Sequence, residues 1–593
     1  MKRILMLVAV AALGATMAFA QSAKDTYVWQ TFGGVDTLDG AMAYDTSSGT
    51  ILENVYEPLM GYQGDKVDQY APRLATGYTV SQDGKTVTYD LRKGVKFQSG
   101  NDFTCKDVAY TIKRDLVTNN PASAIWFLAQ SFLGDAGNAD SVLKNKDATQ
   151  AFRDAHADEY HQYFQKIDSA VTCSDDYTAV MHLDSADPAF VAKMAFPAAY
   201  PIDSKWAMDN GTWDGTEATW EQHIGQDGHN TYLNDHASGT GAYQLVQWTP
   251  GQRVVLKAND SYWGGAPAIK NVLYQIVDDQ NARILALKNG DADRINLGSL
   301  SALSQVEGLS GVKVYNRNGD LGWSSVNVDG VSMNEAIKAD NNPSIGSGKL
   351  DGQGIPADFF TDVHVRRCFA YAFDYQAYIQ QVLLGLGSRI NFLLPPSFLG
   401  YDTNVPEYSL DLDKATSECK QAWDGKLWTS GMKLTISYNT GNLQRKTVAD
   451  ILKSNLEYIN PKFNIEVRGI AWPDFLAAQR AKELPVYVSG WAPDYADPDN
   501  YVTTYYDGGN GYYASYESFN NAQIEQLVRQ AASERDPQAR KLLYSQVAHQ
   551  AHDLAPYINL PQQRPLIIAR SDLKGVYLNP MYSGQFLWKD ISK

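Results

Sequence analysis

Stretches with the two-residue period of a strand alternate with stretches of helical period along this chain, and that alternation limits its fold more than any other feature. Val365, Phe369 and Ala372 fall at helical spacing behind a cap-like Asp362, and the pair Asp536-Pro537 puts an N-cap and a first-turn proline at another helix start. Segments 433–438 and 464–467 alternate as strands. Mixed order of this kind predicts an α/β chain whose helices pack on sheets. At 593 residues the chain exceeds what one core organises, so two to four lobes or domains are expected.

One stretch carries more chemistry than its neighbours. Residues 486–506 read VYVSGWAPDYADPDNYVTTYY, in which Val486 and Val488 alternate with Tyr487 and Ser489 before the run breaks at Gly490, Pro493 and Pro498. A strand therefore delivers an acidic, aromatic loop. Trp491, Tyr495, Tyr501, Tyr505 and Tyr506 flank Asp494, Asp497 and Asp499, so a carboxylate beside ring faces can take a ligand cation by charge and ring together. The competing reading is a solvated turn whose Asp side chains cap backbone groups.

Residues 1–20 read as a secretory signal: Lys2 and Arg3 precede an apolar run over 4–19, and Ala18-Phe19-Ala20 stands before the polar Gln21. Cleavage is expected after Ala20, with export to the periplasm. No later segment approaches 18 consecutive apolar residues. The formal charge of −16 becomes −18 once Lys2 and Arg3 are removed, and Lys and Arg are scattered, which argues against nucleic acid as a partner. Export also bears on the cysteines. Cys105, Cys173, Cys368 and Cys419 lack C-x-x-C spacing and allow three disulfide pairings. Cys105 with Cys173 and Cys368 with Cys419 are favoured, since each pair lies within one region of the chain.

Several ordered blocks then share a pattern. Residues 71–114 hold a hairpin signal at Asp83-Gly84, flanked by Tyr78, Val80, Val87 and Tyr89, and then a capping-box pattern at Thr104 and Asp107. Ser81, Asp83, Gly84, Leu91, Arg92, Gly94, Val95, Phe97, Gly100, Thr104, Asp107 and Val108 follow the form S-x-DG, LR-x-GV-x-F and T-A-x-DV, with Cys105 where alanine is usual. Further blocks are GTGAYQLVQWTPGQRVVLKANDSYW at 239–263, ALKNGDAD at 286–293, DVHVRRCFAYAFD at 362–374 and GWAPDYADPDNY at 490–501. Together they resemble the extracellular solute-binding proteins of the peptide and nickel class, which supply ABC importers. The likeness spans nearly all of the chain after the signal; His364 departs from it where an arginine is usual.

The resemblance implies a two-lobe, periplasmic-binding-protein-like fold with a hinge and an extra subdomain at about 66–196 on the first lobe. Residues 21–297 and 562–593 are expected in that lobe and 298–561 in the second. It implies a binding protein rather than an enzyme, without cofactor or metal, acting as a monomer that delivers a peptide to a permease in the cytoplasmic membrane. Asp494, three residues after Trp491, stands where relatives receive the peptide ammonium, with Gly490, Trp491, Tyr495, Tyr438 and Asn439 around it. Dipeptide binders place an arginine in the loop that reads YNTGN here, at 438–442, and none is present. Arg445 and Arg480 lie nearby but out of step as carboxylate contacts, so an oligopeptide is favoured over a short peptide. An oligosaccharide is the alternative, given 13 Trp and 36 Tyr, and a nickel or metal chelate comes after it. A secreted hydrolase is remote: His156 with His161 and His549 with His552 do not form HExxH, and G-x-S-x-G is absent. Segments 119–166, 203–236 and 329–358 are longer and more polar than the pattern requires and are expected as surface insertions or as cover over the cleft, which the sequence leaves open.

Overall fold

The computed structural model describes residues 24–120, 122–134, 148–322, 325–534 and 536–593; the signal-like segment 1–20 lies outside them. Strand Thr26–Thr31, mostly buried along its length, occupies the centre of a seven-stranded sheet. It runs parallel to Asn271–Ile276 on one side and Arg294–Ile295 on the other. Parallel neighbours need a crossover, and the long segment between the first two carries a separate four-stranded sheet. Arg253–Ala258 and Tyr243–Thr249 extend the sheet at one edge, and Ile567–Arg570 and Val312–Tyr315 extend it at the other.

A second sheet has the order Phe463–Ile470, Met432–Asn439, Val486–Trp491, Val328–Met333, Tyr557–Asn559. Its first three strands are parallel, and helices Leu443–Ile459 and Trp472–Arg480 make the crossovers between them. The chain therefore passes between the lobes twice. Strand Val312–Tyr315 pairs with Ile567–Arg570 in the first sheet, so the first passage lies between Tyr315 and Val328, downstream of the boundary expected at 297. That strand is short and carries no turn signal that would assign it to either sheet. The second passage lies between Asn559 and Ile567.

On the first lobe, Ala75–Val80, Thr86–Leu91, Thr178–His182 and Val171–Asp175 form a four-stranded antiparallel sheet. The Asp83-Gly84 turn sets its hairpin in the register expected, Tyr78 opposite Tyr89 and Val80 opposite Val87. Gly84 sits at φ +73°, a conformation that side-chain-bearing residues resist. Helix Cys105–Thr118 starts on the Thr104/Asp107 capping box, and Cys105 is bonded to Cys173 of the sheet. Cys368 is bonded to Cys419, joining helix Val363–Ala372 to helix Leu412–Gln421 in the second lobe. Closing loops of 68 and 51 residues stabilises by about 4 kcal/mol each on chain-entropy grounds.

Each of the three segments expected at the surface sends described residues into a core. Trp213 and Trp220 of 203–236 are buried; Trp213 stacks on Tyr110, and Trp220 packs on Tyr160 and Phe164. Helix Ile125–Leu133, within 119–166, is almost wholly buried. Segment 329–358 starts in a central strand and sends Ile337, Ile345, Leu350 and Ile355 into the second-lobe core. Residues 125–133 read IWFLAQSFL, an apolar run that marks a buried segment, whereas in 203–236 and 329–358 the apolar residues are widely spaced among polar ones and only the packed partners reveal them.

Candidate functional site

Strand Val486–Trp491 is flanked by Met432–Asn439 and Val328–Met333, so its side chains are buried on both faces. At Gly490 the neighbouring strand approaches so closely that a Cβ would collide with the Asp329 carboxylate and the Val328 carbonyl. Beyond it the loop is tied by Asn500, which is fully buried. The Asn500 Oδ1 accepts from the Trp491 Nε1 and the Asp494 N–H, each at 2.9 Å, and its Nδ2 donates to Asp494 Oδ2 at 2.8 Å.

Asp494 is thereby fixed at the face between the lobes. The Tyr44 hydroxyl of the first lobe donates to the same Oδ2 at 2.8 Å, and Tyr44 accepts in turn from the Trp126 Nε1 at 2.9 Å. Neither of the protein bonds to the carboxylate uses Oδ1. Burial raises the Asp494 carboxyl to about 7, against the pull of the Asn500 and Tyr44 bonds, and no cationic side chain is among the causes. Tyr44, Trp491 and Tyr512 surround it with ring centroids 5.0–5.7 Å apart. Tyr44 and Asn500 were not among the expected site residues, though Asn500 lies only six residues from Asp494.

A cavity of about 420 Å³ opens beside these groups. Asp494, Trp491, Gly490, Asn439 and Arg445 line it from the second lobe, and Tyr44, Asp45 and Arg294 from the first. Its volume falls within the range of small-ligand sites. Asp45 is legible as the N-cap of helix Thr46–Val55, accepting from Ser47 and Ser48, while its Oδ1 also accepts from the Trp472 Nε1 of the other lobe at 3.2 Å. Burial raises the Asp45 carboxyl to about 6. Arg294 follows the recognised block at 286–293 and shares a two-residue strand with Ile295, too short to carry a signal of its own.

Three expected site residues sit elsewhere. Tyr438 is not part of the cavity lining. Tyr495 is buried in the first-lobe core, edge-on to Phe127 at 5.4 Å, and its hydroxyl donates to Asp499 Oδ2 at 2.9 Å. It anchors the loop across the lobe boundary rather than facing a ligand. Arg480 lies 3.6 Å from Asp36, whose carboxylate is also 3.2 Å from the His229 Nε2, so it belongs to a contact between the lobes. The bond to Asp36 heads the causes that raise His229 to about 9. Arg445 does reach the cavity, but its guanidinium donates to Asp329 Oδ1 at 2.9 Å and Asn439 Oδ1 at 3.0 Å, so its charge is already matched.

The other acidic residues of the loop serve the fold. Asp497 takes a two-pronged bond from Arg540 at 2.6 and 2.9 Å and caps the Asp499 N–H, as the turn reading anticipated. Asp499 accepts from Thr503 at 2.6 Å. Among the described residues no helix is long and apolar enough to cross a membrane, and no group of three His, Cys, Asp or Glu residues is placed to hold a metal.

Comparison with known proteins agrees with this architecture. Residues 69–513 match the family described as bacterial extracellular solute-binding proteins, family 5 Middle. The dipeptide-binding protein of Escherichia coli is 24% identical over 564 residues, covering 92% of this chain and 89% of its own. Heme-binding protein A of Haemophilus influenzae is 23% identical, covering 91% and 87%. Among solved structures, the periplasmic binding protein DppA of Helicobacter pylori, in complex with the peptide STSA, superposes with a TM-score of 0.71 at 20% identity, over 96% of this chain and 98% of its own. At that identity the likeness concerns the fold.

Proposed function

This chain belongs to the bacterial extracellular solute-binding proteins of family 5, and from that premise and the cavity we infer that it captures peptides with a free amino terminus for an ABC importer. The observation that carries the reading is Asp494: a buried carboxylate without a cationic partner, one oxygen held by Tyr44 and Asn500, set among aromatic rings at the edge of a cavity between two lobes. A peptide ammonium supplies the missing charge. Binding then favours the ionised form, so Asp494 releases a proton as the ligand enters at neutral or lower pH.

Lobe closure follows from the same contacts. Tyr44 and Asp494 meet only when the lobes are together, and a ligand touching both sides favours the closed form by its differential affinity. The closed protein, acting as a monomer in the periplasm after removal of residues 1–20, then delivers the peptide to a permease in the cytoplasmic membrane. In this reading the first lobe comprises residues 21 to about 316 with about 562–593, and its subdomain lies at about 66–196.

A direct test offers the exported protein two pools of randomised tri- to hexapeptides, one free and one acetylated at the amino terminus, and identifies what is retained by mass spectrometry. Strong enrichment of the free pool is expected. Equal retention, or a uniform oligosaccharide carried through purification, overturns the reading.

A further inference from the structure

Arg294 stands out among the cations near the cavity. It is 3% exposed, lines the same cavity as Asp494, and pairs with no carboxylate among the described residues. Asp293, next to it in the chain, faces elsewhere: it accepts from the Val28 N–H at 2.7 Å and pairs with Lys593 at 2.7 Å. The Arg294 Nη1 donates to the Gly584 carbonyl at 2.8 Å and Nη2 to the Gln585 Oε1 at 2.5 Å, its buried Nε makes no bond of ordinary geometry, and the neutral Tyr27 hydroxyl interacts with the same guanidinium. The guanidinium carbon lies 3.8 Å from the centre of the Trp29 ring.

A buried cation held only by neutral groups is unfavourable, and burial lowers its proton affinity. The surroundings nevertheless hold it in place. Gln585 adopts φ +69°, a region costly for a residue other than glycine, while its side chain accepts from Arg294 and it too lines the cavity. Arg445, by contrast, has Asp329 for company. Of the two arginines that line the cavity, Arg294 is the one that lacks an anion.

We propose that Arg294 receives the carboxylate of the ligand, so that a short peptide is enclosed with its ammonium at Asp494 and its carboxyl end at the first lobe. This rests on the peptide reading and deepens it. The arginine absent from the loop at 438–442 has a counterpart on the opposite wall, which turns the preference from oligopeptides towards short peptides with both ends enclosed. Gln585 is the positioning residue for the guanidinium.

The test is a competition between a randomised tripeptide pool with free carboxyl ends and the same pool amidated and isotope-labelled, applied to wild type, Arg294→Gln and Arg294→Lys. The ratio retained is read by mass spectrometry, and melting curves establish that each variant is folded. Wild type should favour the free acid by about 10- to 150-fold, the range for hydrogen bonds to a charged group. Arg294→Gln should bring the ratio within about threefold of unity, and Arg294→Lys should retain part of it as a point charge without the fork. Should the glutamine variant fail to fold, the lysine variant decides.

An unchanged ratio in the folded variants, or no preference in wild type, overturns the role of Arg294 while peptide binding stands. If wild type retains neither pool, and free hexapeptides also fail, the peptide reading falls as well.

Discussion

Asp494 and Asp497 stand in one loop, with the same side chain and similar aromatic neighbours, yet the fold treats them in opposite ways. Asp497 is gripped by both nitrogens of Arg540 and caps its own turn. Asp494 is more deeply buried, receives only neutral donors, and is pushed up to about 7. Arg445 and Arg294 repeat the contrast for cations. Charges that hold the loop together are matched within the protein; at the cavity, Asp494 and Arg294 are left for something else to match.

Substituting each aspartate by asparagine should give the largest separation. Asp494→Asn leaves a peptide ammonium in a closed site without its counter-charge, a loss of about 3–5 kcal/mol, or roughly two to three and a half decades in affinity. Asp497→Asn should cost less than about tenfold. Calorimetry with free and acetylated peptide checks both: acetylation should add little to the loss in Asp494→Asn, because both changes remove one interaction. Equal losses in the two variants would erase the distinction.

Stability should show the reverse. Arg540→Met strands Asp497 in a half-buried position, and urea unfolding should show a loss of about 2–3 kcal/mol, less than for a fully buried pair. Discrimination against the acetylated peptide should be unchanged in that variant.

The pH dependence of binding sharpens the contrast further. Because the free protein holds Asp494 protonated below about 7, affinity for a free-amine peptide should fall by about tenfold per pH unit beneath that point. It should fall again as the peptide amine loses its proton above roughly pH 8. Asp494→Asn should lose the acidic limb, and a wild-type profile flat from pH 5 to 7 would contradict an ionisable contact.

The smallest effect concerns folding without ligand. A carboxyl raised in the folded state contributes stability below its unfolded value near 4, and that contribution is lost as pH rises through about 7. Asp494→Asn should therefore be more stable than wild type at pH 8, by at least about 1 kcal/mol, and match it near pH 3.5. Thermal unfolding at the two pH values checks the sign.

Features closed within a few residues were legible from the sequence: the Asp83-Gly84 hairpin, the Thr104/Asp107 box, and the helix starts at Asp362 and Asp536-Pro537. A turn or cap is decided by side chains that can reach their own backbone, so local order suffices. The ordered blocks likewise point to the family, and the paired Gly490 and Trp491 to the loop that carries Asp494. The sequence could not separate Asp494 from Asp497, because composition around them is alike.

What distinguishes them was settled by partners far along the chain. Tyr44 is 450 residues from Asp494, Asp329 is 116 from Arg445, and Gln585 is 291 from Arg294. Tyr495 was expected at the ligand and instead anchors the loop in the other lobe. Trp213 and Trp220, in a segment expected at the surface, join the first-lobe core beside Tyr110, Tyr160 and Phe164. The sequence determined which side chains can carry a charge or a ring. Whether a charge is matched depends on what lies within a few ångströms, and that is set by which strands and lobes meet.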